Sequence, residues 1–235
     1  MKTRQFIASV LASFAGLIIA SSAWCAGGVS GKVTVTGQVS KAKVINMSSE
    51  PGCAKMYTTP PTSEDVVTGQ GGALENVVVY ISAGDSTEST PPSQPAKLVQ
   101  KGCRFDHHIT AMQAGQEIEI INTDSTSHNI HPIPTSNREW NKAQPPGTPP
   151  IEEKFAREEF IPVKCNIHPW MRGYIAVMKT SHYAVTGADG SFSLNNLPPG
   201  KYTITAWQET LGKLTQEVTI TGNETAPINF NFTGK

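Results

Sequence analysis

The sequence lacks an excess of either charge. Its 235 residues include 19 Lys and Arg against 19 Asp and Glu, so the formal net charge is zero. Nucleic acids and anionic membrane surfaces are bound by clustered positive charge, which this composition does not provide. Beyond its first residues the sequence also lacks an apolar run of the roughly 20 residues that a membrane-spanning helix needs. We therefore expect no nucleic-acid binding and no membrane span in the mature chain.

The one long apolar run is at the N-terminus. Two basic residues precede the apolar segment 6–20, and small residues follow up to Ala23. This pattern is typical of a cleavable secretory signal peptide. We predict a signal peptide over residues 1–26, cleaved after Ala23, with Cys25 and Ala26 as further candidates and an uncleaved anchor as the alternative. The mature chain is then periplasmic or otherwise exported.

Cysteine is scarce, with four in the sequence. Cys25 lies at the predicted cleavage site, which leaves Cys53, Cys103 and Cys165 in a compartment where disulfides persist. An odd number means that one thiol is unpaired or has another role. Cys53 and Cys103 can pair if Cys165 is a metal ligand. The alternative is a disulfide between Cys165 and one of the other two.

Cys165 begins the motif Cys165-x2-His168-x2-Met171, which places a thiol, an imidazole and a thioether within one short segment. Two His and one Cys, with a weak axial Met, form the blue-copper electron-transfer site. The motif supplies one His, and His128 is the obvious second donor. The alternative for Met171 is that it fills a gap in the core.

Alternating and apolar segments predict β-structure on both sides of these ligands. We predict strands over 29–38, 76–82, 97–100, 109–112, 115–122, 154–163 and 173–179, and one short helical turn within 137–144. The motif then lies on the loop between the last two strands, and His128 comes from a separate strand end. A rigid β-scaffold fixes such ligands and favours fast one-electron transfer.

The run Ser127-His128-Asn129, followed by the Cys-x2-His-x2-Met motif, resembles the cupredoxins, and most closely their amicyanin and plastocyanin-like members. The resemblance implies a Greek-key β-sandwich over residues 93–183. It also implies one copper ion per chain, cycling between Cu+ and Cu2+, with His128, Cys165, His168 and Met171 as ligands. Asn129 matches the family position that steadies the cysteine sulfur from outside the ligand set.

The C-terminal run over 185–202, with Asp-Gly and Pro-Gly turns between strands, resembles the carboxypeptidase regulatory-like (transthyretin-like) β-sandwich. We expect an all-β chain in which a cupredoxin domain is inserted into this split sandwich, formed by residues 27–92 and 184–235. Three separate modules are the alternative. Asp189, Glu209 and Glu217 show no pairing of carboxylates for catalysis.

The other histidines are weaker ligand candidates. Strand alternation directs His131 away from His128, and His107 and His108 are expected to be solvated in a polar turn. Pro169 and Trp170 flank His168, and we expect an exposed imidazole edge there, where protein redox partners dock through a small interface.

These features favour a non-enzymatic electron carrier. A copper enzyme with a second copper centre needs further His clusters, and the sequence contains no H-x-H pair. A copper-binding or delivery protein without an electron-transfer role is the alternative, although the sequence has none of the His- or Met-rich tracts usual in such proteins.

Overall fold

The computed structural model describes residues 26–84 and 89–234. Nearly all of its regular secondary structure is β, with 49% strand and 3% helix. This confirms the all-β prediction. The predicted signal peptide, apart from Ala26, lies outside the described residues. The strands, in chain order, are β1 (Gly27–Thr36), β2 (Val67–Thr68), β3 (Leu74–Glu75), β4 (Val78–Ala83), β5 (Ala96–Gln100), β6 (Ile109–Gln113), β7 (Glu117–Asn122), β8 (His128–Pro132), β9 (Lys142–Gln144), β10 (Ile151–Lys154), β11 (Glu159–Lys164), β12 (Arg172–Met178), β13 (Tyr183–Val185), β14 (Ser191–Leu197), β15 (Gly200–Gln208), β16 (Gly212–Ile220), β17 (Thr225–Pro227) and β18 (Phe230–Thr233). The helical segments are α1 (Pro51–Ala54) and a 3-10 turn (Gln70–Gly72).

Strands from the two ends of the chain form one sandwich. β1 pairs antiparallel with β14 and parallel with β17 and β18, and the facing sheet has the order β13-β4-β15-β16. Apolar side chains between the sheets form one core, which includes Leu74 and Ile204. In β1, Val33 and Val35 are buried while Lys32 is exposed, as the alternating sequence predicts.

The chain between β4 and β13 forms two further sheets, one in the order β10-β7-β5 and one in the order β6-β12-β11-β8-β9. They enclose a second core, which contains Cys165 and Met171. β11 and β12 are antiparallel neighbours, so the loop between them carries the motif. β8 pairs antiparallel with β11, with Lys164 opposite His131. Continuing this register brings His128 beside the motif loop.

A third apolar cluster joins the two halves and includes Val78, Tyr80 and Met178. Across it, the ring of Phe160 in β11 stacks on Trp207 in β15, with centroids 4.1 Å apart. β4 therefore has apolar neighbours on both faces. This explains its nearly continuous apolar sequence, which is typical of a strand buried on both sides.

An excursion of the chain, residues 43–63, packs against the second core, and we call it the cap segment. A 2.8 Å backbone hydrogen bond from Ser63 N to Lys43 O closes its base. Its short helix α1 carries Cys53, which forms a disulfide with Cys103. The cap segment is thus covalently tied to the turn after β5.

Most of the strand predictions are confirmed, with shifted ends. The predicted strand over 154–163 is divided between β10 and β11, and the predicted helical turn within 137–144 is wrong. Lys142–Gln144 instead forms β9, because the edge of β8 offers backbone partners to this segment. Within the described ranges, no helix is long and apolar enough to cross a membrane.

Glu159, at the start of β11, binds the loop over 135–137. The backbone N–H groups of Thr135, Ser136 and Asn137 donate to its carboxylate, as do two side chains of that loop. Partial burial raises the pKa of Glu159, but the hydrogen bonds from Thr135, Asn137 and Ser136 outweigh it and lower the pKa from 4.5 to about 2.

We predict that Glu159→Gln lowers the free energy of unfolding by about 1 kcal/mol near neutral pH, because the loop loses a charged acceptor that is partly screened by solvent. A carboxylate with a lowered pKa stabilises the fold above its unfolded pKa and loses that contribution as pH falls through its folded pKa. The difference between wild type and variant should therefore shrink between pH 4.5 and about 2. Urea unfolding at several pH values checks this.

The matched control is Glu158→Gln, since Glu158 is the exposed neighbour in the chain. It should change the free energy of unfolding by less than about 0.5 kcal/mol at every pH. A destabilisation by Glu159→Gln that does not depend on pH would contradict the prediction.

Candidate metal centre

Three of the predicted ligands converge at one end of the second core. One ligand atom each from His128, Cys165 and His168 lies within 4.8 Å of the others. His128 Nδ1 is 2.9 Å from His168 Nδ1, and Cys165 Sγ is 3.8 Å from the same His168 nitrogen. Both imidazoles are 0% exposed and Cys165 is 1% exposed. A thiol and two imidazoles enclosed in this way suit a transition-metal ion that prefers sulfur and nitrogen ligands.

Backbone hydrogen bonds hold the motif loop in a tight turn. Cys165 N donates to Met171 O at 3.0 Å, and Met171 N donates to His168 O at 2.9 Å. These bonds close the loop at the ends of β11 and β12. Met171 is 1% exposed and belongs to the same apolar cluster as Cys165. The structure therefore buries Met171 in the core that contains Cys165, which fits both the ligand prediction and the core-filling alternative.

Asn129 contacts the thiol, as the sequence predicts. Its backbone N–H lies 3.5 Å from Cys165 Sγ and its side-chain Oδ1 lies 3.3 Å from the same sulfur. Oδ1 also accepts the N–H groups of Asn166, at 2.6 Å, and Ile167, at 3.3 Å. One side chain thus fixes both the sulfur and the backbone of the motif loop. Substituting it would disturb the position of two ligands.

Asp124 supports the other side of the site. Its Oδ2 lies 2.8 Å from His128 Nε2 and accepts the N–H of Cys103 at 2.7 Å, while Oδ1 accepts the N–H of Gly102 at 2.6 Å. Gly102 and Cys103 both have positive φ, at 64° and 54°. Cys103 pays a conformational cost there, which its disulfide and the carboxylate offset. Asp124 therefore orients His128 and holds the turn that carries the disulfide.

Three side chains of the site, Cys165, His128 and His168, have pKa values shifted from their ordinary values. Burial raises the pKa of Cys165, but hydrogen bonds from the His128 side chain and from Asn129 N–H outweigh it, so the pKa lies below 9.0. Burial lowers the pKa of His128, but Cys165 and Asp124 raise it above 6.5 overall. Burial and the neighbouring His128 lower the pKa of His168. Compared with free side chains, these shifts favour the thiolate form of Cys165, the charged form of His128 and the neutral form of His168.

The predicted exposed imidazole edge is absent, because His168 is 0% exposed. The cap segment covers it: Cys53 Sγ lies 3.6 Å from His168 Nε2. Trp170 also packs beside the imidazole, with centroids 5.3 Å apart, and donates its indole N–H to Cys103 O at 2.9 Å. Pro169 remains exposed and Trp170 is half-buried. The expectation that redox partners dock on an exposed edge of the His168 imidazole is therefore wrong.

The cysteines take the first of the two predicted arrangements. Cys53 and Cys103 form a disulfide with their Cα atoms 5.7 Å apart, and Cys165 is free. Both paired cysteines are buried, at 1% and 0% exposure. The disulfide adjoins the imidazoles, since Cys103 Sγ is within 4.8 Å of a His128 nitrogen.

The remaining histidines lie outside the site. His131 contacts Asn166 and Glu139, as expected of a side chain on the other face of β8. His107 is exposed, but the prediction that His108 is solvated is wrong. His108 is 6% exposed and binds the Glu209 carboxylate. Packing of the terminal sandwich on β6 buries it, which no local pattern in the sequence could show.

Two functional features were missed by the sequence analysis. The sequence patterns did not single out Asp124, although its position four residues before His128 was an available signal. The contact between the disulfide and His168 had no signal, because it depends on how the cap segment folds back over the motif loop.

Comparison with protein families matches residues 174–233 to the carboxypeptidase regulatory-like domain. This confirms the resemblance for the C-terminal part of the chain. The search of curated proteins found no match.

Similar solved structures are copper proteins. A purple cupredoxin from Nitrosopumilus maritimus is 21% identical and covers 35% of this chain and 99% of its own, with a TM-score of 0.31. Amicyanin from Paracoccus versutus is 15% identical and covers 43% of this chain and 97% of its own, with a TM-score of 0.31. A copper-containing nitrite reductase from Thermus scotoductus is 18% identical and covers 42% of this chain and 25% of its own, with a TM-score of 0.35.

We predict that copper binding to the metal-free chain weakens as pH is lowered through the raised pKa of His128, which lies above 6.5. A metal ion must displace the proton from His128, and the protons released set the pH dependence of affinity. A competition titration against a colorimetric chelator at pH values between about 5 and 8 measures it.

The informative variant is Asp124→Asn. It removes a carboxylate that raises the pKa of His128, so the loss of affinity should begin at a lower pH than in the wild type. An unchanged pH profile in this variant would show that the Asp124–His128 contact does not control metal uptake.

Proposed function

We propose that the chain is an exported type 1 copper protein that carries single electrons between protein redox partners, with one copper ion per chain. The observation that carries the proposal is the convergence of His128, Cys165 and His168 as buried neighbours within 4.8 Å. The donor set fits copper, because a thiolate and two imidazoles with a weak thioether form the blue-copper combination. A copper ion bound there supplies a one-electron Cu+/Cu2+ couple.

The surrounding residues prepare these ligands for binding. Asp124 fixes the ring orientation of His128 by binding Nε2, which leaves Nδ1 directed at His168. Asn129 holds the Cys165 sulfur, and the lowered pKa of that thiol favours the thiolate form. Met171 would supply the weak thioether ligand. Because the ligands are held by strands and by hydrogen bonds, a change of charge at the site requires little movement of the protein.

Burial of the site affects how electrons reach it. With His168 covered, partner contacts are made with the residues around it, through a weak interface of the kind used by redox encounters. The rate of electron transfer then depends on the cap segment and the motif loop together. The proposal therefore does not require an exposed ligand.

We further propose the domain bounds predicted from the sequence, with residues 93–183 as the copper domain and residues 27–92 with 184–235 as the sandwich, except that the cap segment packs against the core of the copper domain. Pairing of β1 with β14, and of β4 with β13 and β15, supports this division. The Cys53–Cys103 disulfide supports export, since disulfides persist in oxidising compartments.

A copper-binding or delivery role without electron transfer is the second candidate. The complete burial of His168 favours it over electron transfer, because a covered ligand slows electron exchange with a partner. Rapid oxidation of the copper-loaded chain by ferricyanide, without loss of the metal, would favour the carrier. Slow oxidation with ready transfer of copper to a chelator would favour delivery.

The optical and EPR spectra of the mature chain loaded with Cu(II) test the proposal. A type 1 site should give an intense visible sulfur-to-copper charge-transfer band with narrow hyperfine splitting. Cys165→Ser should abolish the band, because the thiolate is its source. A colourless wild type with an ordinary tetragonal Cu(II) spectrum would overturn the electron-carrier proposal.

Cys53→Ala combined with Cys103→Ala is the matched control. These two cysteines contact the imidazoles without belonging to the proposed ligand set. The double variant should therefore keep the visible band of the wild type. Loss of the band in this variant, with the fold retained, would show that the disulfide is needed to form the site.

A further inference from the structure

His168 presents its two ring nitrogens to two different groups of ligands. Nδ1 faces His128 and Cys165, at 2.9 and 3.8 Å. Nε2 faces the disulfide, with Cys53 Sγ at 3.6 Å. The proposed copper site uses the first of these faces. Cys53 Sγ contacts this second face, and Cys103 Sγ lies within 4.8 Å of a His168 nitrogen. The proposed function assigns no role to either sulfur.

The sulfurs of Cys53 and Cys103 and a nitrogen of His168 lie within 4.8 Å of one another, and all three residues are buried. We propose that reduction of the disulfide converts them into a second metal site, for Cu(I), formed by two thiolates and His168 Nε2. Soft thiolate ligands select Cu(I), and imidazole completes the set. The sites share His168 but differ in their sulfur ligands, so the second does not depend on Cys165.

The conversion needs a two-electron reductant of the dithiol class. A thiolate of the dithiol attacks one sulfur of the disulfide, and its second thiol then resolves the mixed disulfide. The dithiol leaves as a disulfide, and Cys53 and Cys103 each carry a proton as thiols. Binding of Cu(I) then displaces both thiol protons.

The backbone geometry suits a shared ion. Two thiolates on one three-coordinate ion, with metal–sulfur bonds of about 2.3 Å, lie about 4 Å apart. The Cα atoms of Cys53 and Cys103 are 5.7 Å apart. Rotation of the two side chains is enough to reach such a separation, so the backbone does not have to move apart.

The cap segment gives a reductant a way in. Its base is closed by backbone hydrogen bonds. Besides the disulfide, the packing of Met47 in the second core holds it, as does Tyr57, which donates to Gly102 O at 2.7 Å. A cavity of about 310 Å³ lies within the cap segment, lined by Val44, Met47 and Tyr57 among others. Val44 is 66% exposed. Local opening of the segment, which exposes Met47 and Cys53, would bring the disulfide within reach of a reductant.

A Cu(I) titration of the full mature chain carrying Cys165→Ala tests the second site alone. This variant removes the thiolate of the first site and leaves the second set intact. The chain is reduced with a phosphine, freed of reductant without oxygen, and titrated with Cu(I) against a chromogenic chelator. We expect one tightly held Cu(I) per reduced chain and none in the oxidised chain, with X-ray absorption showing two sulfur ligands.

The matched control adds Cys103→Ser, which lacks the disulfide just as the reduced parent does. It should lose the tight Cu(I) site while giving the same near-ultraviolet circular dichroism as the reduced parent. Equal binding by this control would overturn the proposal. So would a reduced parent that binds no Cu(I), or one that unfolds on reduction, because the site needs His168 in its folded position.

The oxidised wild-type chain, loaded with Cu(II) in parallel, separates this result from the proposed function. Absence of a type 1 spectrum there overturns the electron-carrier proposal and leaves the Cu(I) result unaffected. Two Cu(I) ions per reduced wild-type chain, against one per oxidised chain, are expected if both sites fill together. His168 then also loses its remaining ring proton and bridges the two ions as an imidazolate.

Discussion

The Asp124 carboxylate is the interaction on which the rest of the centre depends. It receives His128 Nε2 and the N–H groups of Gly102 and Cys103, each within 2.8 Å. Buried at 9% exposure, a carboxylate needs such partners, because an unpaired buried charge is costly. Asp124 therefore couples a proposed ligand to the turn that carries the disulfide. A change in the position of that turn is transmitted to His128 through one side chain.

The disulfide and the cap segment turn an exposed loop into an enclosed site. Without them, the motif loop would end the second sandwich at the surface, with His168 facing solvent. Both imidazoles are buried, and burial lowers the pKa of His168, which favours its neutral form. The disulfide also places two sulfur atoms against the ligand that the two proposed sites share. The Cys53–Cys103 disulfide thus helps to enclose the proposed copper site and is also the bond whose reduction would form the proposed Cu(I) site.

Features set by short-range sequence patterns were predictable. The spacing of Cys165 and His168, the alternation in β1 and the turn signals of the C-terminal sandwich each depend on nearby residues. Features set by distant parts of the chain were not. The burial of His108 depends on Glu209, and β9 forms because β8 has a free edge. The covering of His168 requires the cap segment to fold back and pair Cys53 with Cys103, which cysteine counting permits but does not place in space.

The most direct measurement is a crystal structure of the oxidised, copper-loaded chain with anomalous diffraction collected at the copper absorption edge. We expect one strong anomalous peak between His128 Nδ1, Cys165 Sγ and His168 Nδ1, with the Cys53–Cys103 disulfide intact beside His168. A peak at exposed residues, or no ordered copper between these three side chains, would contradict the proposal that they form the copper site.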